Sequence, residues 1–217
     1  MDQTVPGPNI PESLFEHRQV FANPWLDRWV IPNPFISVLF ETLRPDGVGL
    51  ADFSFNKEPA NFAETYLNVS IRKLNAAIRI GLDAITYIAV NPDWEMAPRL
   101  LELFEQVSER IRGVVGSPVD FQEATLAFHV TPGPVDFRTS TASLVNPEVA
   151  GKALFSGISL HRSDGVLIID KSLRYDGAAF VRLQCRFPAE TPFSEVASRL
   201  YEHEISALRL LGVTGVV

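Results

Sequence analysis

Two stretches of this chain read alike, and that likeness limits its fold more than any other feature. The first is an apolar run from Ala84 to Val90 (AITYIAV), a connection through Asn91 and Pro92, Pro98 at a helix start, and the helix LLELFEQVSERIRG ending in Gly113. The second is Ala178 to Phe187 (AAFVRLQCRF), Pro188, Pro192 at a helix start, and FSEVASRLYEHEISALRLLG ending in Gly212. A strand-and-helix unit that occurs twice predicts a duplicated architecture with a seam between the halves. It names no chemistry.

A chain of 217 residues buries enough surface to fold without a metal or disulfide staple. With 46% hydrophobic and 21% charged residues the composition is that of a globular protein, and charge or proline interrupts every apolar run too soon for a membrane span. Met1 is followed by Asp2 and a polar, proline-rich stretch rather than a basic and then an apolar region, so no secretory signal is expected and the cytoplasm is the default. The single cysteine, Cys185, has no internal partner for a disulfide, and its place in an alternating strand marks it as a small buried hydrophobe. A net charge of -7 argues against nucleic acid as a partner, because phosphate binding relies on Lys and Arg displacing counterions.

Residues 1–34 hold six of the sixteen prolines and read as an arm rather than a core element. A short helix is expected from Glu12 to Phe21. Trp25 and Trp29, four apart, would share a helical face, either pinning the arm to the body or anchoring a partner. From Phe35 the apolar period falls to two, and five strands are expected: Phe35 to Leu43, Val48 to Phe55, Tyr66 to Lys73, Ala76 to Leu82 and Ala84 to Val90. The helix after them sets Leu100, Leu103, Phe104, Val107 and Ile111 on one stripe.

The turn-like segment Val114 to Pro118 (VVGSP) divides the first half, 35–116, from the second, 117–217. The second half restarts at Phe121 to Thr131 and crosses a loop through Pro132, Pro134 and Pro147. It resumes at Leu154 to His161, Val166 to Arg174 and Ala178 to Phe187. Ser163-Asp164-Gly165 and Asp176-Gly177 are hairpin signals, since Gly and Asp tolerate the backbone angles of tight reversals. The expected fold is α+β: two similar halves in one compound domain, each an antiparallel β-meander followed by an amphipathic helix on one sheet face.

Such a sheet leaves its other face to water or to a partner. Alternation in the last strand sends Val181, Leu183, Cys185 and Phe187 one way and Arg182, Gln184 and Arg186 the other. The same reasoning puts Thr125, His129, His161 and Asp170 on the polar side. An Arg-Gln-Arg ladder near His129 and Asp170 suits an anionic ligand, because guanidinium presents paired donors to carboxylate or phosphate. A solvated sheet face explains the same residues without a ligand.

Catalytic grammar is missing. There is no G-x-S-x-G elbow, phosphate-binding loop or dinucleotide fingerprint. The four histidines have no metal-ligand spacing, so neither a metal nor a cofactor is expected, and no catalytic residue is assigned. Glu202, His203 and Glu204 point in different directions on a helix and read as a solvated surface.

Three segments carry a family resemblance: Asn33 to Leu43 (NPFISVLFETL), Val90 to Phe104 (VNPDWEMAPRLLELF), and Leu167 to Asp170 (LIID) with Arg199 to Thr214 (RLYEHEISALRLLGVT). Together they resemble a sporadically distributed family of bacterial proteins of unassigned function. The chain departs from that pattern at Thr125 to Val130 (TLAFHV), where the family has an Arg-Tyr-Asn strand. The resemblance implies an architecture and a bacterial setting, with no substrate attached. The expectation is a non-enzymatic binding or assembly protein with a protein partner or self-association, using the open sheet face and the arm. The alternative is an anion-binding protein or enzyme with a pocket at the seam, where ligand sites form between packed halves.

Overall fold

The computed structural model describes residues 9–25, 33–56, 64–92, 95–131 and 157–213. Among them are nine strands, β1 (Asn9–Phe21), β2 (Phe53–Phe55), β3 (Leu67–Ile71), β4 (Ala76–Ile80), β5 (Ala84–Val90), β6 (Val119–Thr131), β7 (Gly157–His161), β8 (Gly165–Lys171) and β9 (Ala179–Pro188). Three α-helices accompany them: α1 (Asn33–Leu43), α2 (Ala97–Val115) and α3 (Phe193–Leu210). The strands form one antiparallel sheet in the order β2-β3-β4-β5-β1-β6-β9-β8-β7. The α+β class expected from the pattern is therefore the observed one.

The chain groups into two compact units. The first comprises Leu14–Ala124 with Arg186–Ala197; the second takes the chain up to Ser13, Thr125–Cys185 and the chain from Ser198 onward. In the first unit, β2 to β5 form a meander, and β5 also pairs with β1 in a register that sets His17 opposite Tyr87 and Val20 opposite Ala84. Inward residues of the sheet, among them Val69, Ile78, Ile85 and Tyr87, meet Phe35, Leu39 and Leu43 of α1 and Leu103, Phe104, Val107 and Ile111 of α2 in one core. In the second unit, Leu126, Phe128, Val130, Leu167, Ile169, Val181 and Leu183 are buried on one side of the strands. Leu200, Ala207 and Leu208 make the apolar stripe of α3 there.

Several expectations need correction. Residues 9–21 are a strand between β5 and β6, not a helix in an arm. Alternate side chains His17, Gln19 and Phe21 are buried, and two of those three are polar, so hydropathy gave no strand signal. The expected strand at Phe35 to Leu43 is α1. Phe35, Leu39 and Leu43 recur every four residues and have no exposed surface, and the Thr42 hydroxyl donates to the Val38 carbonyl at 2.7 Å along the helix. The expected strand from Val48 is mostly a short 3-10 turn at Leu50–Asp52, with Asp52 accepting from the Gly49 backbone N–H at 2.9 Å, and only Phe53–Phe55 pairs.

α2 runs past Gly113 and ends where Gly116, at φ 68°, takes the left-handed conformation that glycine adopts without strain. Trp25 is buried beside Phe21 and Phe35 and donates its indole N–H to the Gly81 carbonyl at 2.9 Å. It is a core residue of the first unit. Trp29 and the loop from Pro132 to Pro147 lie outside the described residues.

Candidate functional site

The candidate surface is built by register in the second unit. β8 pairs with β9 so that Arg182 faces Ile168, Gln184 faces Val166 and Phe180 faces Asp170. β7 continues the rows, with Ser159 opposite Ile168, His161 opposite Val166 and Gly157 opposite Asp170. Since neighbours in register share a sheet face, one side carries the rows Arg182-Ile168-Ser159, Gln184-Val166-His161 and Phe180-Asp170-Gly157. Leu167, Ile169, Val181 and Leu183 point to the other side and are buried. A side chain at Gly157 would meet Asp170 Cγ at 3.0 Å, so the glycine makes room for that carboxylate.

Arg182 is exposed and, among the described residues, pairs with no carboxylate; its guanidinium reaches Gln184 Oε1 at 3.5 Å. The alternate residue Arg186 belongs to the first unit, where its guanidinium lies 3.7 Å from the centre of the Phe121 ring. That cation–π stack occupies the group in a way the sequence did not announce.

His129 sits against Tyr175 and Phe180, each ring centre 5.1 Å away. Its Nδ1 lies 3.0 Å from the Ser172 hydroxyl. Ser172 Oγ already accepts the backbone N–H groups of Arg174 and Tyr175 at 3.1 and 2.9 Å, so its own proton goes to His129 Nδ1 and the imidazole proton sits on Nε2. This is not a nucleophile and its base. Ser172 is 3% exposed and its lone pairs are spent on the turn. Asp170 lies beyond Phe180 in the same row, so among the described residues no carboxylate is brought to His129, and Arg186 is not part of the group.

No protein-family model matches this chain, and no curated protein matches it either.

Two further polar clusters of the second unit tie loops to the body. Glu12 accepts from Arg174 at 2.6 Å and from the Tyr175 hydroxyl at 3.2 Å, holding the β8–β9 loop. His203 accepts from Arg162 at Nδ1 (2.7 Å) and faces Asp164 with Nε2 at 3.4 Å, which clips the β7–β8 turn to α3. Its neighbour Glu204 is buried rather than solvated, and burial pushes its pKa up to about 7. Burial, with Asp164 nearby, likewise pushes the Cys185 thiol up to about 11, away from thiolate chemistry.

The first unit holds a buried polar network that sequence reasoning missed. Gln122 Oε1 accepts from His17 Nε2 at 2.8 Å and from Gln19 Nε2 at 3.2 Å. Its amide nitrogen faces the carbonyls of Pro188, Ala189 and Thr191 at 2.8 to 3.2 Å, which fixes the amide's orientation. Gln19 Oε1 accepts from Ser108 at 2.7 Å and Tyr87 at 3.5 Å, and Ser108 Oγ accepts in turn from Arg112 at 2.9 Å. The edge of Phe193 packs on the His17 ring at 4.3 Å between centres. The one available sign was polar residues at alternate positions ahead of Phe21, a pattern more often read as a solvated strand.

Among the described residues no group of His, Cys, Asp and Glu could hold a metal ion, and no helix is long and apolar enough to cross a membrane.

Proposed function

We propose that this chain is a non-enzymatic, cytoplasmic binding or assembly protein, and that the open face of β7, β8 and β9 meets a protein partner. One observation carries the reading: on that face Arg182, which pairs with no carboxylate among the described residues, and Gln184 stand in register with Ile168 and Val166, with Phe180 opposite Asp170 in the next row, while the buried residues of β8 and β9 point the other way. Arginine and aromatic groups beside aliphatic ones are the composition of protein contact surfaces. The same reading takes 35–116 and 117–217 as two versions of one construction plan, and the chain as a relative of the bacterial family it resembles.

The test replaces Arg182, and in a second variant Ile168, in the full chain. Arg182→Ala and Ile168→Asp should each abolish recovery of a native-host partner while Lys171→Ala, on the opposite side of β8, leaves it intact. Thermal stabilisation by small anions that disappears in Arg182→Ala, with no partner recovered, would instead establish a ligand site and overturn the proposal.

A further inference from the structure

The sheet of the second unit ends, among the described residues, at β7, and the backbone there has a definite polarity. Arg162 N–H donates to the Gly165 carbonyl at 2.8 Å, closing the two-residue turn between β7 and β8. In an antiparallel pair the hydrogen-bonded positions alternate. Leu160 and Ile158 therefore direct their N–H and C=O groups toward Leu167 and Ile169 of β8, whereas Gly157, Ser159 and His161 direct theirs away from the sheet.

Exposed edges are ordinarily protected by charge, proline, bulges or brevity, because unpaired backbone groups template further strands. The sequence Gly157-Ile158-Ser159-Leu160-His161 has no Lys, Arg, Asp, Glu or Pro. Its apolar side is also unfinished: Leu160 is 39% exposed although its cross-strand neighbour Leu167 is buried.

The segment is complementary to itself. Laid antiparallel on a second copy about Ser159, the outward N–H and C=O of Ser159 bond their counterparts. Those of Gly157 bond those of the second copy's His161, so every outward group finds a partner in register. Ile158 then lies against the second copy's Leu160, covering the exposed apolar side, and each imidazole lies opposite a glycine instead of another imidazole. No like charges meet. We propose that a second copy of this chain is the partner of the β7 edge, joining two sheets through a two-fold, isologous strand pair. It rests on reading the chain as an assembly protein, but uses the sheet's edge and not its open face.

So short an edge buries little area, so the association is expected to be weak and concentration-dependent. Sedimentation velocity on the full chain over a concentration series should show the mass rising toward twice that of one protomer. Ser159→Pro removes an outward N–H that makes no bond within the sheet, and Leu160→Lys places like charges on both copies. Each should weaken the dimer by roughly tenfold or more, with circular dichroism and thermal midpoint unchanged as the check on folding. A wild-type chain that stays at one protomer's mass throughout overturns the inference, and so does a dimer indifferent to both variants. A dimer lost in Arg182→Ala but not in Ser159→Pro also overturns it while favouring the face, and partner binding by a strictly monomeric chain leaves the face proposal standing alone.

Discussion

His17 donates through Nε2 to Gln122 Oε1 at 2.8 Å, and this bond fixes the tautomer of a ring with no exposed surface. Nδ1 is left with its lone pair and no hydrogen-bond partner among the described residues. A proton there would put a charge in the core, and burial lowers the pKa from 6.5 to about 4. Between those values the unfolded chain binds a proton that the folded chain refuses. The stabilisation is complete above pH 6.5 and is lost as pH falls through 4. Full loss amounts to roughly 3 kcal/mol. Urea titrations over this range should show the decline, and His17→Leu should flatten it while costing about 1–3 kcal/mol near neutrality, since Gln122 keeps only its weaker donor.

Glu204 has the opposite sign. Its Oε2 has no partner among the described residues, and its pKa is raised from 4.5 to about 7. The folded chain keeps this proton longer than the unfolded chain, so the contribution is present below pH 4.5 and is lost as pH rises through 7. Glu204→Gln should match the parent in acid and be more stable by roughly 1–3 kcal/mol at about pH 8. Parallel stability curves for parent and variant would contradict this.

Ser108 links α2 to β1 by donating to Gln19 Oε1 and accepting from Arg112. Ser108→Ala should destabilise by about 1–3 kcal/mol, because the buried carbonyl oxygen of Gln19 keeps only a long contact to Tyr87. Arg182→Ala on the exposed face should change stability by less than about 0.5 kcal/mol. Equilibrium denaturation of the pair measures the contrast.

Gly165 opens β8 directly against the β9 backbone. A Cβ there would stand 2.2 Å from the Gln184 carbonyl oxygen, and backbone cannot yield as a flexible side chain can. Gly165→Ala should cost more than about 2 kcal/mol. It should also speed amide exchange at Leu160 and Leu167, whose pairing depends on the turn.

The sequence announced those elements whose partners repeat its own period. β5 and β9 could be read from alternation, and α2 and α3 from stripes such as Leu100-Leu103-Phe104-Val107 and Val196-Leu200. The face holding Arg182, Gln184, His129 and Asp170 followed from the pleat alone. α1 reads as a strand because a β-branched and aromatic run such as Phe35-Ile36-Ser37-Val38-Leu39 satisfies both periods, and only the buried positions four apart decide between them. β1 is hidden for another reason: the groups that make His17 and Gln19 tolerable inside, Gln122 and Ser108, come from far along the chain. The burial of Glu204 is not legible because a helix pattern gives direction but not what lies across from it.

The placement of β1 also orders events in time. Leu14 pairs with Val90 and Val20 with Ala84, while Ala22 donates to the Pro118 carbonyl at 3.0 Å. As the chain is synthesised, this strand lacks its β5 neighbour until Val90 has emerged, and its other flank waits for β6. The β2–β5 meander can form from neighbouring segments in the meantime, so closure around β1 is a late step with a long loop to close. Anything that binds a bare strand meets β1 in that interval.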